Sequence, residues 1–230
     1  MDLASKNGRK WQGAVDRIAL IMLCIMSFLF SGCAMGRFNY YPPERKEYDN
    51  IIVVPKPFEA LWKDAIKDLG SSSFIIENIN KEAGFINVSY YSSINSEKYV
   101  DCGRVRSYIE GLISGKKRSY DFPLSKSQFR IEIPAGDGIS TIPINVKQDL
   151  EGKINVFLSA INEKETMVKV NIRYVLSQFW ENGEWKETVT FTFNSLARDI
   201  QATTAGDTRI TTTCFPTGEL EKEVLERISR

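Results

Sequence analysis

The chain has 230 residues, with 30 Lys or Arg, 29 Asp or Glu and no histidine, for a formal net charge of +1. A balance this close to zero gives no global electrostatic footprint for nucleic acid or for anionic lipid. The absence of histidine removes the usual general base near neutral pH and the commonest zinc ligand, while 43% apolar residues support a packed core.

The N-terminus carries Lys6, Arg9, Lys10 and Arg17, then an apolar run from Ile18 to Phe30. That run is too short for a stable membrane-spanning helix and fits the core of a signal peptide. It closes in Leu29-Phe30-Ser31-Gly32-Cys33, which resembles the lipobox of bacterial lipoproteins, with Phe30 where Leu is usual. The resemblance implies a signal peptide over residues 1–32, cleavage before Cys33 and acylation of Cys33. Ala34, rather than Asp, follows the cysteine, which in enteric lipoproteins implies the outer membrane, facing the periplasm. Two other readings stay open: an ordinary secretory signal with Cys33 a plain thiol, and an N-terminal anchor that is never cut. Losing residues 1–32 would take four basic and two acidic residues from the totals and leave 26 against 27, a net charge of −1.

Residues 33–49 read as the acylated cysteine and a tether, with Pro42-Pro43 and the charged run Glu44 to Glu47. Fully extended, such a tether reaches roughly 50–55 Å. Residues 50–230 then form one domain. Ile51 to Val54 is a β-branched strand. Pro57 opens a helix whose apolar face is Phe58, Leu61, Trp62, Ala65, Ile66 and Leu69, ending at Gly70. A hairpin comes next: Phe74 to Ile79, a turn at Lys81-Glu82-Ala83-Gly84, then Phe85 to Tyr91.

Residues 104–149 read as an irregular middle, broken by Gly111, Gly115, Gly136 and Gly138 and by Pro123, Pro134 and Pro143. Within it, Phe129 to Ile133 and Ile139 to Val146 are candidate strands. The cluster Lys116-Lys117-Arg118 fits a solvated loop better than a phosphate contact. Alternation returns in Lys153 to Ile161, Met167 to Trp180 and Trp185 to Phe193, with a hairpin signal at Asn182-Gly183. Residues 194–207 read as a loop and Thr208 to Thr213 as extended chain. Thr217 caps a last helix striped with Leu220, Val224, Leu225 and Ile228.

This order predicts an α+β domain, an antiparallel sheet with an N-terminal and a C-terminal helix on one face. It resembles helix-grip folds. The stretch 51–91, with its Trp62-bearing helix leading into a hairpin that turns at Gly84, is similar to the repeated domain of BamC-type lipoproteins. That likeness implies an accessory, protein-binding role beside the machinery that assembles outer-membrane barrels.

Cys102 and Cys214 remain after the signal segment and Cys33 are set aside. In an envelope compartment they read as a disulfide closing a long loop, the alternative being two separate buried thiols. No paired carboxylates, nucleophile motif or cofactor motif stands out. Asp101, Asp121, Asp137 and Asp207 read as turn formers, and Ser71 to Ser73 as a linker. Trp180 and Trp185 flank the Asn182-Gly183 turn and are a candidate exposed binding patch; a cross-strand pair at the core edge is the plainer alternative. The sequence therefore predicts a non-enzymatic binding or structural accessory with no cofactor and no nucleic-acid partner. It would be held to the membrane through Cys33, with other envelope proteins as candidate partners. A carrier of an apolar ligand or lipid, held between sheet and C-terminal helix, is the alternative.

Overall fold

A computed structural model of the chain describes residues 35–110, 117–134, 141–183, 186–205 and 208–230. Its spine is one antiparallel pair, β9 (Thr141–Ala160) and β10 (Thr166–Glu181), matched from Thr166↔Ala160 to Glu181↔Asn145. Each spine strand is long enough to carry two short strands end to end along its other edge. Along β10 these are β2 (Ile51–Val54), against Thr166 to Lys169, and β11 (Lys186–Asn194), against Arg173 to Glu181. Along β9 they are β4 (Phe85–Ser92), against Leu150 to Phe157, and β8 (Gln128–Pro134), against Thr141 to Lys147. The edge strand β3 (Ile75–Asn80) completes a seven-stranded sheet on the far side of β4.

Period-2 patterning explains why this sheet has an inside. Val168, Val170, Ile172, Tyr174 and Leu176 of β10 are buried, as are Ile154, Val156 and Leu158 of β9 and Val189, Phe191 and Phe193 of β11. One end of this face is covered by α1 (Phe58–Gly70) and α3 (Glu219–Ile228), which also touch each other. The apolar stripe of α3 packs closely because Gly152 has no side chain. A Cβ there would lie 3.1 Å from the Leu220 Cδ2. A four-residue helix, α2 (Ser96–Tyr99), lies beside α3.

Two smaller sheets surround the rest. One is β1 (Met35–Tyr41), β6 (Arg104–Glu110) and β7 (Lys117–Pro123); the other is β12 (Asp199–Ala205), β13 (Thr208–Pro216) and β5 (Val100–Asp101). Phe122 of β7 packs against Phe129 of β8 with tilted rings, centroids 4.6 Å apart, which carries the core beyond the helix-covered end.

This corrects the expected α+β class. The chain is mostly β-sheet, in three sheets, with three short helices among the described residues. Both expected helices form, but they cover one end of a much larger strand framework. The additional strands come from segments that read as tether, irregular middle and loop. Their alternation runs through Ser, Thr, Tyr and Arg rather than through strongly apolar residues. The spine strand β9 reads as two pieces in the sequence because Pro143 and Gly152 lie within it. Pro143 is tolerated because it lies beyond Asn145, the last residue of β9 that pairs with β10. Part of the segment read as tether is strand: Met35 to Tyr41 pair with β6 in unbroken register, Met35↔Glu110 to Tyr41↔Arg104, while residues 42–49 form neither helix nor strand.

Candidate functional site

The two faces of the spine have opposite environments. Odd-numbered residues of β10, from Met167 to Glu181, are half-buried or exposed throughout. Register then brings four asparagines into one row across this open face. Asn78 opposes Asn87, Asn87 opposes Asn155, and Asn155 opposes Asn171. A fifth amide joins at the end, where Asn50 Nδ2 donates to Asn171 Oδ1 at 3.1 Å and to the Val170 carbonyl at 2.9 Å. Inside the row, Asn87 Nδ2 donates to Asn155 Oδ1 at 2.7 Å. Cross-strand neighbours at this spacing hold one another in place.

The flanking rows differ in character. On one side Phe85 and Phe157 pack with ring centroids 5.2 Å apart, next to Lys169 and Ile51. On the other, Lys153 lies between Arg173 and Ser89. Each amide offers two donors and one acceptor group without a charge. Such a row can recognise a polar or extended partner, but it supplies no acid, base or nucleophile. The edge strand β3 borders this face, and its Ile75 is 63% exposed. A second apolar edge residue, Val53 of β2, is 53% exposed on the opposite border.

A second constellation lies inside. Glu221, in the first turn of α3, has no exposed surface. Its Oε2 accepts from the Tyr174 hydroxyl at 2.6 Å; its Oε1 accepts from Ser195 Oγ at 2.7 Å and the Tyr48 hydroxyl at 3.0 Å. Burial first, and then the Glu221 charge, push the Tyr174 and Tyr48 hydroxyls well above the ordinary tyrosine range, so both stay protonated donors. The helix N-terminus also favours a negative group here. Tyr48 sits flat over Gly218, whose φ is 86° and where a Cβ would lie 2.4 Å from the ring. Both oxygens are occupied and neither reaches solvent. The carboxylate is therefore a tie between strand, loop and helix, not a reagent.

The predicted site residues separate clearly. Cys33 and the lipobox lie outside the described residues, as does Trp185. Cys102 and Cys214 form a disulfide across 112 residues, with both side chains fully buried. Trp180 corrects the expected exposed patch: it is 4% exposed and meets Phe129 edge-on at 6.0 Å, inside the core. Of the loop aspartates, Asp101 accepts from the Gly103 N–H at 2.8 Å as a turn former, while Asp121 bridges Arg104 and Arg106. Asp137 and Asp207 lie outside the described residues. In the basic cluster, Lys117 pairs with Glu110 and Arg118 with the buried Glu132; Lys116 is outside the described residues. Thr217 is next to the helix cap rather than at it. Gly218 holds the cap position, and Thr217 Oγ1 accepts from Glu219 N at 3.3 Å.

Neither the asparagine row nor the Glu221 tie is legible in the sequence. Within one strand, parity shows which residues share a face, but nothing local fixes how two strands align. Tyr48 and Ser195 lie in segments that read as tether and loop, with no partner in sight. Among the described residues no three potential metal ligands cluster, and no helix is long and apolar enough to cross a membrane. Comparison with known proteins finds no matching family, no matching curated protein and no matching solved structure.

Proposed function

We propose that this protein is an envelope lipoprotein, anchored through Cys33, that acts as a non-catalytic binding or structural accessory. The observation that carries the reading is the asymmetry of the main sheet. One face is filled by helices and hairpins, while the other presents an in-register row of amides beside an edge strand. A buried disulfide fits an oxidising compartment outside the cytoplasm. The helix and hairpin at residues 58–92 fit the likeness to BamC-type lipoproteins, which makes a role in outer-membrane assembly the first to test.

A carrier would need room between sheet and C-terminal helix. Leu220, Val224 and Ile228 of α3, with Ile154 and Ile172 beneath them, are at most 1% exposed and fill that layer. The accessory reading is preferred for that reason.

The test is photo-crosslinking in cells from a reactive residue at Ser159 on the open face, followed by mass spectrometry. Recovery of barrel-assembly components supports the role. Recovery of a bound lipid and no protein overturns it. Separately, Cys33→Ser releases the protein from membranes if the anchor is correct. Retention of that variant through a carbonate wash sinks the anchor.

A further inference from the structure

Acylation of Cys33, the reading on which this orientation rests, would place the lipid two residues before β1, at most about 7–8 Å of chain away. Strand β1 is already paired there, and Met35 opposes Glu110, which opposes Lys117 across β6. The three-stranded sheet β1–β6–β7 therefore starts where the anchor ends. With the lipid on Cys33, only that short link would separate the bilayer from paired strand.

The exposed face of this sheet has the composition of a membrane interface. Arg104, Arg106 and Lys117 point outward with Tyr108, which is 38% exposed, and Tyr41, which is 46% exposed. The Arg106 guanidinium lies 5.4 Å from the centre of the Tyr41 ring. The acids on this face are Glu110 and Asp121, already bridged by Lys117 and by the two arginines. Cations outnumber them, so the face is weakly positive. Tyrosine and arginine with apolar stems and polar tips are suited to the headgroup layer. A weak surface suffices here, because a covalent anchor holds it at a high effective concentration beside the membrane.

We infer that the exposed face of the β1–β6–β7 sheet lies against anionic phospholipid headgroups and fixes the orientation of the domain on the membrane. The test uses the acylated full-length protein in vesicles of phosphatidylethanolamine and phosphatidylglycerol at three to one. A fluorophore is placed at Ser119→Cys, exposed on this face opposite Tyr108, or at Ser159→Cys, exposed on the open face of the main sheet. A quencher is carried on lipid headgroups. Quenching at Ser119 several-fold above that at Ser159, weakened when phosphatidylglycerol is omitted, is the expected result. Equal quenching at both sites in protein that floats with the vesicles overturns the orientation and leaves the anchor standing. Quenching at Ser119 that ignores phosphatidylglycerol overturns the anionic assignment. An unmodified Cys33 in the N-terminal peptide, with no flotation, overturns anchor and orientation together.

Discussion

Tyr174 and Glu221 are 47 residues apart in sequence and meet at 2.6 Å, joining the middle of the spine strand β10 to the first turn of α3. The two carboxylate oxygens are served unequally. Among the described residues Oε2 has Tyr174, whereas Oε1 has both Tyr48 and Ser195. Tyr174→Phe strips from a buried charged oxygen the one donor it has among the described residues, a loss of about 1–3 kcal/mol. Tyr48→Phe leaves Ser195 in place and costs less. Urea midpoints of the two variants test the order; an equal loss, or a larger one for Tyr48→Phe, refutes this account.

Alkaline stability depends on the same hydroxyls. Burial and then the Glu221 charge raise Tyr174 and Tyr48 in the fold above their ordinary value of 10.0. In the unfolded chain they lose protons near that value. Above pH 10 the folded state thus holds protons that the unfolded state has released, and stability falls as pH rises. Below pH 10 the contribution is complete. Urea unfolding from pH 8 to 11.5 is expected to be flat and then to decline, more gently in Tyr174→Phe. An unchanged slope in that variant contradicts the assignment.

On the acid side, Glu223 behaves in the opposite sense. Burial opposes its ionisation, but the Lys98 ammonium, the Tyr99 hydroxyl and Arg227 outweigh burial and lower its pKa below 4.5. Its contribution is present above that value and fades as pH drops through the lowered one. Lys98 is half exposed at 3.2 Å, so the pair is worth at most about 1 kcal/mol. Lys98→Met should reduce stability at pH 7 by that much and by less near pH 3. A constant difference across the range counts against it.

Much of the main sheet is legible in the sequence because apolar alternation is a local signal. Val168, Val170, Ile172 and Tyr174 share a buried parity that the sequence displays directly, and the two amphipathic helices are legible for the same reason. The β1–β6–β7 sheet is not, since Arg104, Arg106 and Tyr108 occupy the outward positions and only Val105 and Ser107 are plainly inward. Its β6–β7 partners are near in sequence, but β1 joins through partners 63 to 75 residues away, a separation that no local window of sequence contains. The asparagine row illustrates the same limit. Asn78, Asn87, Asn155 and Asn171 have no common spacing, and only the register of four strands makes them neighbours.

The disulfide is readable from cysteine count and compartment, and its burial adds a consequence. Cys102 and Cys214 are both 0% exposed and tie the residue just after β5 to β13. Dithiothreitol should leave the native protein oxidised and reduce it only when urea opens the fold. The double variant Cys102→Ser, Cys214→Ser should lose about 2–5 kcal/mol. Rapid reduction of the folded chain, detected by thiol titration at pH 8, would contradict the buried placement.

The open face should separate binding from stability. Val53 and Ile75 lie on opposite borders of the main sheet and are largely exposed. Val53→Lys or Ile75→Lys adds a charge where little packing is lost, so stability should shift by no more than about 0.5 kcal/mol. If a partner docks along this face, at least one substitution should cut the crosslinked yield from Ser159 several-fold. The edge strand is the more sensitive border, because a lysine there also discourages strand addition. Full crosslinking yield from both variants, with unchanged urea midpoints, would remove the open face from the accessory reading and direct attention to the hairpin sheets.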